Sequence, residues 1–88
     1  MRVIFHKYFD KSYKNCSSKI QRKFKERLKI FMEDQYSPIL ENHALYGEWK
    51  DFRSINITGD YRALYHYLDF KKGIVEFFLI DTHSNLYN

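Results

Sequence analysis

The sequence predicts a small α+β protein built as one domain, residues 1–88. Hydrophobic residues make up 44% of the 88 positions and aromatic residues 19%, with only three Gly and one Pro, which is typical of a compact globular chain. The first half carries an apolar repeat of helical period, whereas the second half alternates apolar and polar residues with period two. A chain of this length supports a single modest core.

The N-terminal segment predicts a strand followed by a short helix. "RVIFHKYF" begins with β-branched and alternating residues, and we expect a strand from Arg2 to about His6. A short helix is expected from about Asp10 to Asn15.

A longer helix is predicted over residues 18–35. Ser18 and Gln21 have the spacing of a capping box, in which each side chain bonds the backbone N–H of the other residue. The helix must end before Pro38, because proline lacks the backbone N–H and disfavours helical geometry in the residue before it. Its apolar residues fall on one stripe, which we expect to pack in the core: Ile20, Phe24, Leu28, Phe31 and Met32.

Residues 48–81 predict three strands in hairpin order. Their sequences are "EWKDFRSINI", "DYRALYHYLD" and "GIVEFFLID", separated by the turn signals "TG" and "FKKG". We expect an antiparallel sheet in which the N-terminal strand joins this meander and one or two helices cover one face. The linker is Ser37 to Gly47, and Trp49 is expected to anchor it on the core.

The net charge of +4 is divided unevenly along the chain. Residues 1–35 contain ten Lys and Arg against four Asp and Glu, a net +6, and residues 36–88 contain five against seven, a net −2. A basic segment suits a polyanionic partner such as nucleic acid or the ribosome, or an acidic protein. A solvated helix face explains the same charge without a partner.

Composition also limits the compartment and the chemistry. Cys16 is the only cysteine, which excludes an internal disulfide, and we expect it to pack near the helix start rather than to act as a reactive thiol. No apolar stretch is long enough to span a membrane, and the first residues lack the apolar core of a signal peptide, so a cytoplasmic protein is expected. The four histidines lack the spacing of a zinc site, and no cofactor is expected.

Polar residues near predicted strand ends form a candidate site. His43 lies in the linker, Asp60 begins the middle strand and His83 follows the last strand. In an antiparallel meander, the start of one strand and the end of the next meet at the same sheet edge, so Asp60 and His83 are expected to approach each other. The alternative for His83 is a histidine that simply faces water.

Arg62 is the candidate cation of this site. It shares a sheet face with Leu64 and His66, and its planar fork of donors is suited to a phosphate. The alternative is a cross-strand ion pair with Glu76 or Asp81.

The stretch "NHALYGEWKDFRSINITGDYRALYHY", followed by "IDTHSNLY", resembles the RelE superfamily of type II toxin–antitoxin toxins, and most of all its YafQ branch. That branch carries His-x-Leu-x-Gly-x-Trp-Lys, an aromatic–Arg step, Asp–aromatic at the second strand and a closing Thr-His-x-x-Leu-aromatic. The resemblance covers residues 42–87. One position departs from it, because Asn56 stands where the branch has a further histidine.

The resemblance implies a small RelE-like fold and a ribosome-dependent mRNA endoribonuclease neutralised by a cognate antitoxin in a hetero-oligomer. His43, Asp60 and His83 match catalytic positions, Arg62 the basic strand residue, and Tyr87 an aromatic near the active site. Metal-independent cleavage by the ribose 2′-OH needs a base, an acid and positive charge on the phosphate, and histidine supplies either proton-transfer role near neutral pH.

Three further residues are candidate substrate contacts: Tyr87, Arg53 and Asn56. Tyr87 is expected either to stack on a base or to pack the C-terminus onto the sheet. Arg53 is expected to form a structural ion pair or to contact the substrate. Asn56 cannot exchange a proton at neutral pH, so it is expected only to position another group.

Two other function classes fit the same sequence. One is a ParE-like toxin of the same fold, which inhibits DNA gyrase by binding and needs no acid and base. The other is a basic RNA-binding or ribosome-binding module without catalysis. Fold alone does not choose among the three classes. The histidine pair favours the nuclease, because a toxin that acts by binding needs no acid and base.

Overall fold

The computed structural model describes residues 1–87 and confirms the predicted α+β class. A single five-stranded sheet has the order β1-β5-β4-β3-β2. The elements are β1 (Arg2–Phe5), α1 (Lys7–Lys14), α2 (Ser18–Glu33), β2 (His43–Ala44), β3 (Arg53–Asn56), β4 (Tyr61–Asp69), β5 (Ile74–Thr82) and α3 (His83–Leu86), with short 3₁₀ turns at Pro38–Leu40 and Gly47–Trp49.

The sheet is mostly antiparallel, but the N-terminal strand departs from the predicted antiparallel sheet. β1 pairs with β5 in parallel, with Val3 opposite Val75, whereas the other neighbours pair antiparallel. An alternating pattern specifies which face a residue occupies but not the direction of the partner strand. The two helices between β1 and the rest of the sheet allow either direction.

α1 begins three residues earlier than the predicted helix start. The His6 ring caps it, with Nδ1 accepting from the backbone N–H of Tyr8 at 3.0 Å. The predicted strand extends to about His6, and the capping role of His6 explains why the helix starts earlier.

The N-cap of α2 is Ser17 rather than Ser18. The Ser17 hydroxyl accepts from the backbone N–H of Ile20 at 3.3 Å. The Gln21 amide donates to the carbonyls of Tyr13 and Cys16 instead of closing a capping box. The predicted capping box is therefore wrong, and Gln21 ties the two helices together. α2 ends at Glu33, two residues before the predicted end.

The helix stripe packs on one face of the sheet, called here the covered face. Phe24 and Phe31 are buried, and their rings make edge contacts with Phe77 at centroid distances of 5.5 Å and 5.4 Å. Tyr65 lies at the centre of this core and is fully buried. Met32 is 50% exposed, so its predicted core position is wrong.

Cys16 packs beside this core, as predicted. Its thiol is half-buried and donates to the carbonyl of Ser12 at 3.4 Å. Burial raises the pKa of the Cys16 thiol, and the charge of Asp81 raises it further. A raised pKa lowers the thiolate fraction, which is the reactive form.

The opposite face, called here the open face, carries a smaller aromatic cluster. It consists of Trp49, Phe52, His66 and Phe78. The Trp49 indole N–H donates to the carbonyl of Leu86 at 3.0 Å. Trp49 therefore anchors the linker and α3 to the open face rather than to the main core.

The first strand of the meander is shorter than predicted. β3 begins at Arg53, whereas the pattern predicted a strand from Glu48. Gly47 at φ +68° and Asp51 at φ +78° adopt left-handed conformations that interrupt an extended chain. The linker also contributes β2, in which His43 pairs with Ser54.

Within residues 1–87, no helix has the length and apolar character needed to cross a membrane.

Candidate active site

A groove on the open face brings His43 and His83 together. It has a volume of about 300 Å³ and is lined by His43, Ala44, Leu45, Tyr46, His83 and Tyr87. The linker supplies one wall through β2, and α3 supplies the other. Two histidines that are far apart in the sequence thus share one solvent-accessible site.

The His43 ring is oriented by a backbone carbonyl. Its Nδ1 lies 2.8 Å from the carbonyl oxygen of Glu41. A carbonyl oxygen only accepts hydrogen bonds, so Nδ1 must carry the proton and the neutral ring keeps its lone pair on Nε2. This tautomer leaves Nε2 ready to accept a proton from a bound substrate.

Asn56 acts on His43 through Glu41. The Asn56 amide donates to the Glu41 carboxylate. Glu41 has a left-handed backbone, with φ 45° and ψ 46°, which is uncommon for a residue other than glycine. Asn56 thus contacts the residue whose carbonyl bonds the His43 ring.

His83 is held at the start of α3. The Thr82 hydroxyl caps this short helix by accepting from the backbone N–H of Asn85 at 3.2 Å. The backbone N–H of His83 donates to the carbonyl of Asp60 at 2.8 Å. The expected approach of Asp60 and His83 is therefore observed, although the exposed Asp60 side chain does not line the groove.

Arg62 holds the turn between β3 and β4. Its Nη1 donates to the carbonyls of Thr58 at 3.1 Å, Gly59 at 3.3 Å and Tyr61 at 3.1 Å. The Asp60 carbonyl that accepts from the His83 N–H belongs to the same turn. Arg62 therefore stabilises the turn that contacts His83. Within residues 1–87, Nε and Nη2 of Arg62 have no hydrogen-bond partner.

The alternative ion pair of Arg62 is wrong. Asp81 lies directly across the strand pair, yet no ion pair joins it to Arg62 in the described part of the chain. The other candidate, Glu76, bonds Nε2 of His66 at 2.8 Å. His66 thus has a carboxylate partner on the neighbouring strand.

Tyr87 closes the groove beside His83. The two rings meet edge to face with centroids 4.6 Å apart, and the Tyr87 side chain is 37% exposed. Tyr87 thus packs against His83 and keeps part of its ring accessible in the groove.

Arg53 lies apart from the groove. It is paired with Tyr65 across the strands and therefore faces the helices. Its Nε donates to Asn42 at 2.9 Å, and its guanidinium lies 5.5 Å from the Tyr36 ring centroid. No ion pair of Arg53 occurs among residues 1–87, and these two contacts favour a structural role.

Three residues were not predicted from the sequence: Tyr46, which lines the groove, its neighbour Glu48, and Glu41, which supports His43. Tyr46 is 88% exposed, and Glu48 lies on the same turn. Tyr46 lies in the linker and Glu48 begins the first predicted strand of the meander, and the sequence pattern predicts a site role for neither. Gly47 between them was the available signal, because its left-handed backbone makes the tight turn that exposes its neighbours. Glu41 gave no signal in the sequence.

The fold is that of the RelE-type toxins, according to comparison with solved structures. No family model and no curated protein sequence matches the chain. YafQ from E. coli strain BL21(DE3) is 18% identical over 100% of both chains, with a TM-score of 0.80. The YoeB/ParE toxin from Agrobacterium tumefaciens is 14% identical over 94% of this chain and 99% of the other, with a TM-score of 0.76.

A third similar structure is a toxin–antitoxin complex. A chain of the archaeal RelE–RelB complex from Pyrococcus horikoshii OT3 is 22% identical over 92% of both chains, with a TM-score of 0.73. The resemblance to RelE-type toxins drawn from the sequence is thus confirmed at the level of the fold. The YafQ structure matches this chain over its full length.

Proposed function

We propose that this protein is the toxin of a type II toxin–antitoxin system and a ribosome-dependent mRNA endoribonuclease. The observation that carries the proposal is the pairing of His43 and His83 in one groove. A toxin that acts only by binding has no need for two exposed imidazoles in one concave site. The RelE-type fold supports the class of protein, and the groove supports the chemistry.

The proposed reaction divides proton transfer between the two histidines. His43, with its Nε2 lone pair, takes the proton from the ribose 2′-OH, and the 2′ oxygen attacks the adjacent phosphorus. The bond from phosphorus to the 5′ oxygen breaks, which leaves a 2′,3′-cyclic phosphate on one fragment. Protonated His83 gives its proton to the leaving 5′ oxygen. No metal ion takes part in this scheme, and neutral pH suits both roles of imidazole.

The surrounding residues have supporting roles in the proposal. Arg62 offers Nε and Nη2 to the phosphate while Nη1 holds the turn. Asp60 orients His83 through its carbonyl, and its carboxylate is an alternative base. Asn56 positions Glu41 and thereby His43. Tyr87 stacks on a base next to the scissile phosphate.

The proposed partners are mRNA on the ribosome and an acidic antitoxin protein in the cytoplasm. A similar fold occurs in the RelE–RelB complex, which supports a partner protein. The net +6 of residues 1–35 provides charge complementarity, so antitoxin affinity should fall between low and physiological ionic strength. An affinity that does not change with salt would contradict steering by this basic segment.

The test of function separates cleavage from gyrase inhibition. A similar structure is described as a YoeB/ParE toxin, so a gyrase poison is the second candidate. After induced expression, mRNA 5′ ends are mapped, and the purified protein is assayed on programmed ribosomes and in gyrase supercoiling. We expect new 5′ ends within codons and unaffected supercoiling. Inhibited supercoiling without mRNA cleavage would establish the ParE-like alternative. Ribosome or RNA binding without either effect would indicate a non-catalytic module.

A further inference from the structure

A second groove adjoins the histidine groove on the open face. It has a volume of about 280 Å³ and is lined by Tyr46, Glu48, Trp49, Leu86 and Tyr87. Tyr46 and Tyr87 line both grooves, so the two form one continuous surface. A polymer that places its reacting phosphate beside His43 and His83 therefore has a neighbouring unit within reach of the second groove.

The lining of the second groove selects the chemistry of its occupant. Three aromatic rings surround it, and the one charged side chain in its lining is the carboxylate of Glu48. Among residues 1–87 no cation lines this groove, so a phosphate would meet repulsion rather than attraction. A carboxylate accepts hydrogen bonds and cannot donate them. The groove thus suits a flat, uncharged ring that presents N–H groups at its edge.

The walls of the groove differ in rigidity and exposure. Trp49 is fixed by its bond to the Leu86 carbonyl and by edge contact with Phe52 at 5.5 Å. Tyr46, by contrast, is 88% exposed and contributes little to the packing of the fold. An aromatic ring presented in this way beside a rigid wall is the arrangement on which bases of single-stranded RNA stack.

We propose that the second groove is a nucleobase subsite that favours guanine, in which the base stacks on Tyr46 or Tyr87 and the Glu48 carboxylate accepts from the base edge. Guanine offers two adjacent donors, N1–H and the N2 amino group, to a single carboxylate. Uracil offers one N–H flanked by two carbonyl oxygens, which would face the carboxylate unfavourably. This proposal rests on the proposed RNA-cleaving function and names the base that its substrate carries next to the scissile phosphate.

Binding is measured by fluorescence, because Trp49 is the only tryptophan of the chain and lies in the groove. The probes are 2′-O-methyl trinucleotides that differ only in the middle base and cannot undergo attack by a 2′-OH. We expect the guanine probe to quench Trp49 and to bind about tenfold more tightly than the uracil probe. Glu48→Gln should abolish this preference, and Tyr46→Ala should weaken the binding of both probes.

The matched control for charge is Glu26→Gln, which removes an exposed carboxylate on α2 and should leave the preference unchanged. Equal binding of both bases, or no quenching by either probe, would overturn the subsite. Tighter binding of N-acetyl-argininamide than of the guanine probe would also overturn it and would assign the groove to a protein arginine. Cleavage of mRNA is scored separately in the same preparations, so a failed subsite and a failed nuclease are distinguished.

Discussion

The two faces of the sheet use their aromatic residues differently. On the covered face, Phe24, Phe31, Tyr65 and Phe77 are buried against one another beneath α2. On the open face, by contrast, aromatic residues lie under the linker, and the polar groups above them are exposed. One of these is His43, which lies on β2 and pairs with Ser54 of β3.

Under the proposed function, the covered face stabilises the domain and the open face carries the active site. Eleven of the thirteen buried hydrophobic residues among residues 1–87 form one cluster around Phe24, Phe31 and Phe77, and burial of this kind dominates stability. The open face carries exposed imidazoles and the left-handed Glu41, which contribute little to the buried core. Mutations on the two faces should separate cleanly into losses of stability and losses of activity.

The largest stability effect is expected on the covered face. Phe24→Ala should lower the free energy of unfolding by about 3–5 kcal/mol, because it leaves a cavity among packed rings. Met32→Ala is the matched control in the same helix. Because the Met32 side chain is exposed, this variant should change the free energy of unfolding by no more than about 0.5 kcal/mol. Both values come from urea unfolding. Similar losses for the two variants would contradict the packing described here.

A smaller stability effect is expected at Tyr65. Its hydroxyl accepts from the side-chain amides of Gln35 at 2.9 Å and Asn42 at 2.8 Å, which joins the end of α2 to the linker. Tyr65→Phe should reduce the free energy of unfolding by about 1–3 kcal/mol at pH 7, because both donors lose a partner. The exposed Tyr46→Phe serves as the control and should change nothing measurable.

Tyr65 also predicts a pH dependence. Burial raises its pKa, so the folded state disfavours the ionised phenol. A raised folded pKa gives stability that is present below the ordinary value of 10.0 and is lost as the pH rises through the folded value. Wild-type unfolding free energy should therefore fall above about pH 10, and Tyr65→Phe should show a smaller fall. Parallel curves for the two proteins would contradict this assignment.

A still smaller effect, now on activity, is expected at Asn56. Asn56→Ala releases the Glu41 carboxylate and loosens the carbonyl that orients His43. We expect cleavage to be roughly tenfold slower, because a small displacement of a catalytic group lowers the rate strongly. The limb of the pH–rate profile that reports the general base should also change. Asn85→Ala, which removes another exposed amide near the groove, provides a comparison. An unchanged pH profile would assign Asn56 a purely structural role.

The fold could be predicted where one physical pattern dominated. The stripe of α2 and the hairpins of residues 48–81 were visible because burial imposes periods of 3.6 and two residues. The parallel pairing of β1 was not visible, because alternation carries no strand direction. The cap at Ser17 was missed because Ser17 and Ser18 are both good caps, and only the three-dimensional packing of Gln21 against α1 chooses between them.

The candidate site could be predicted only in part. The backbone of Asp60 contacts that of His83, as the edge argument predicted. His43 and His83 line one groove, which the edge argument did not address. The bonds by which Arg62 holds its turn depend on the local path of the backbone, which cannot be read from the pattern of residue types. Tyr46 and Glu48 escaped notice for the same reason, since their exposure follows from one turn at Gly47.

The most direct test of the central claim is the rate of mRNA cleavage on programmed ribosomes by His83→Gln. If His83 transfers a proton to the leaving oxygen, cleavage should fall by about 10²–10⁴, while melting temperature and antitoxin binding stay at wild-type values. Ser84→Ala, the adjacent exposed position in α3, should retain full cleavage. A His83→Gln protein that still cuts mRNA at the wild-type rate, or one that loses cleavage only because it melts, would contradict the assignment of His83 to catalysis.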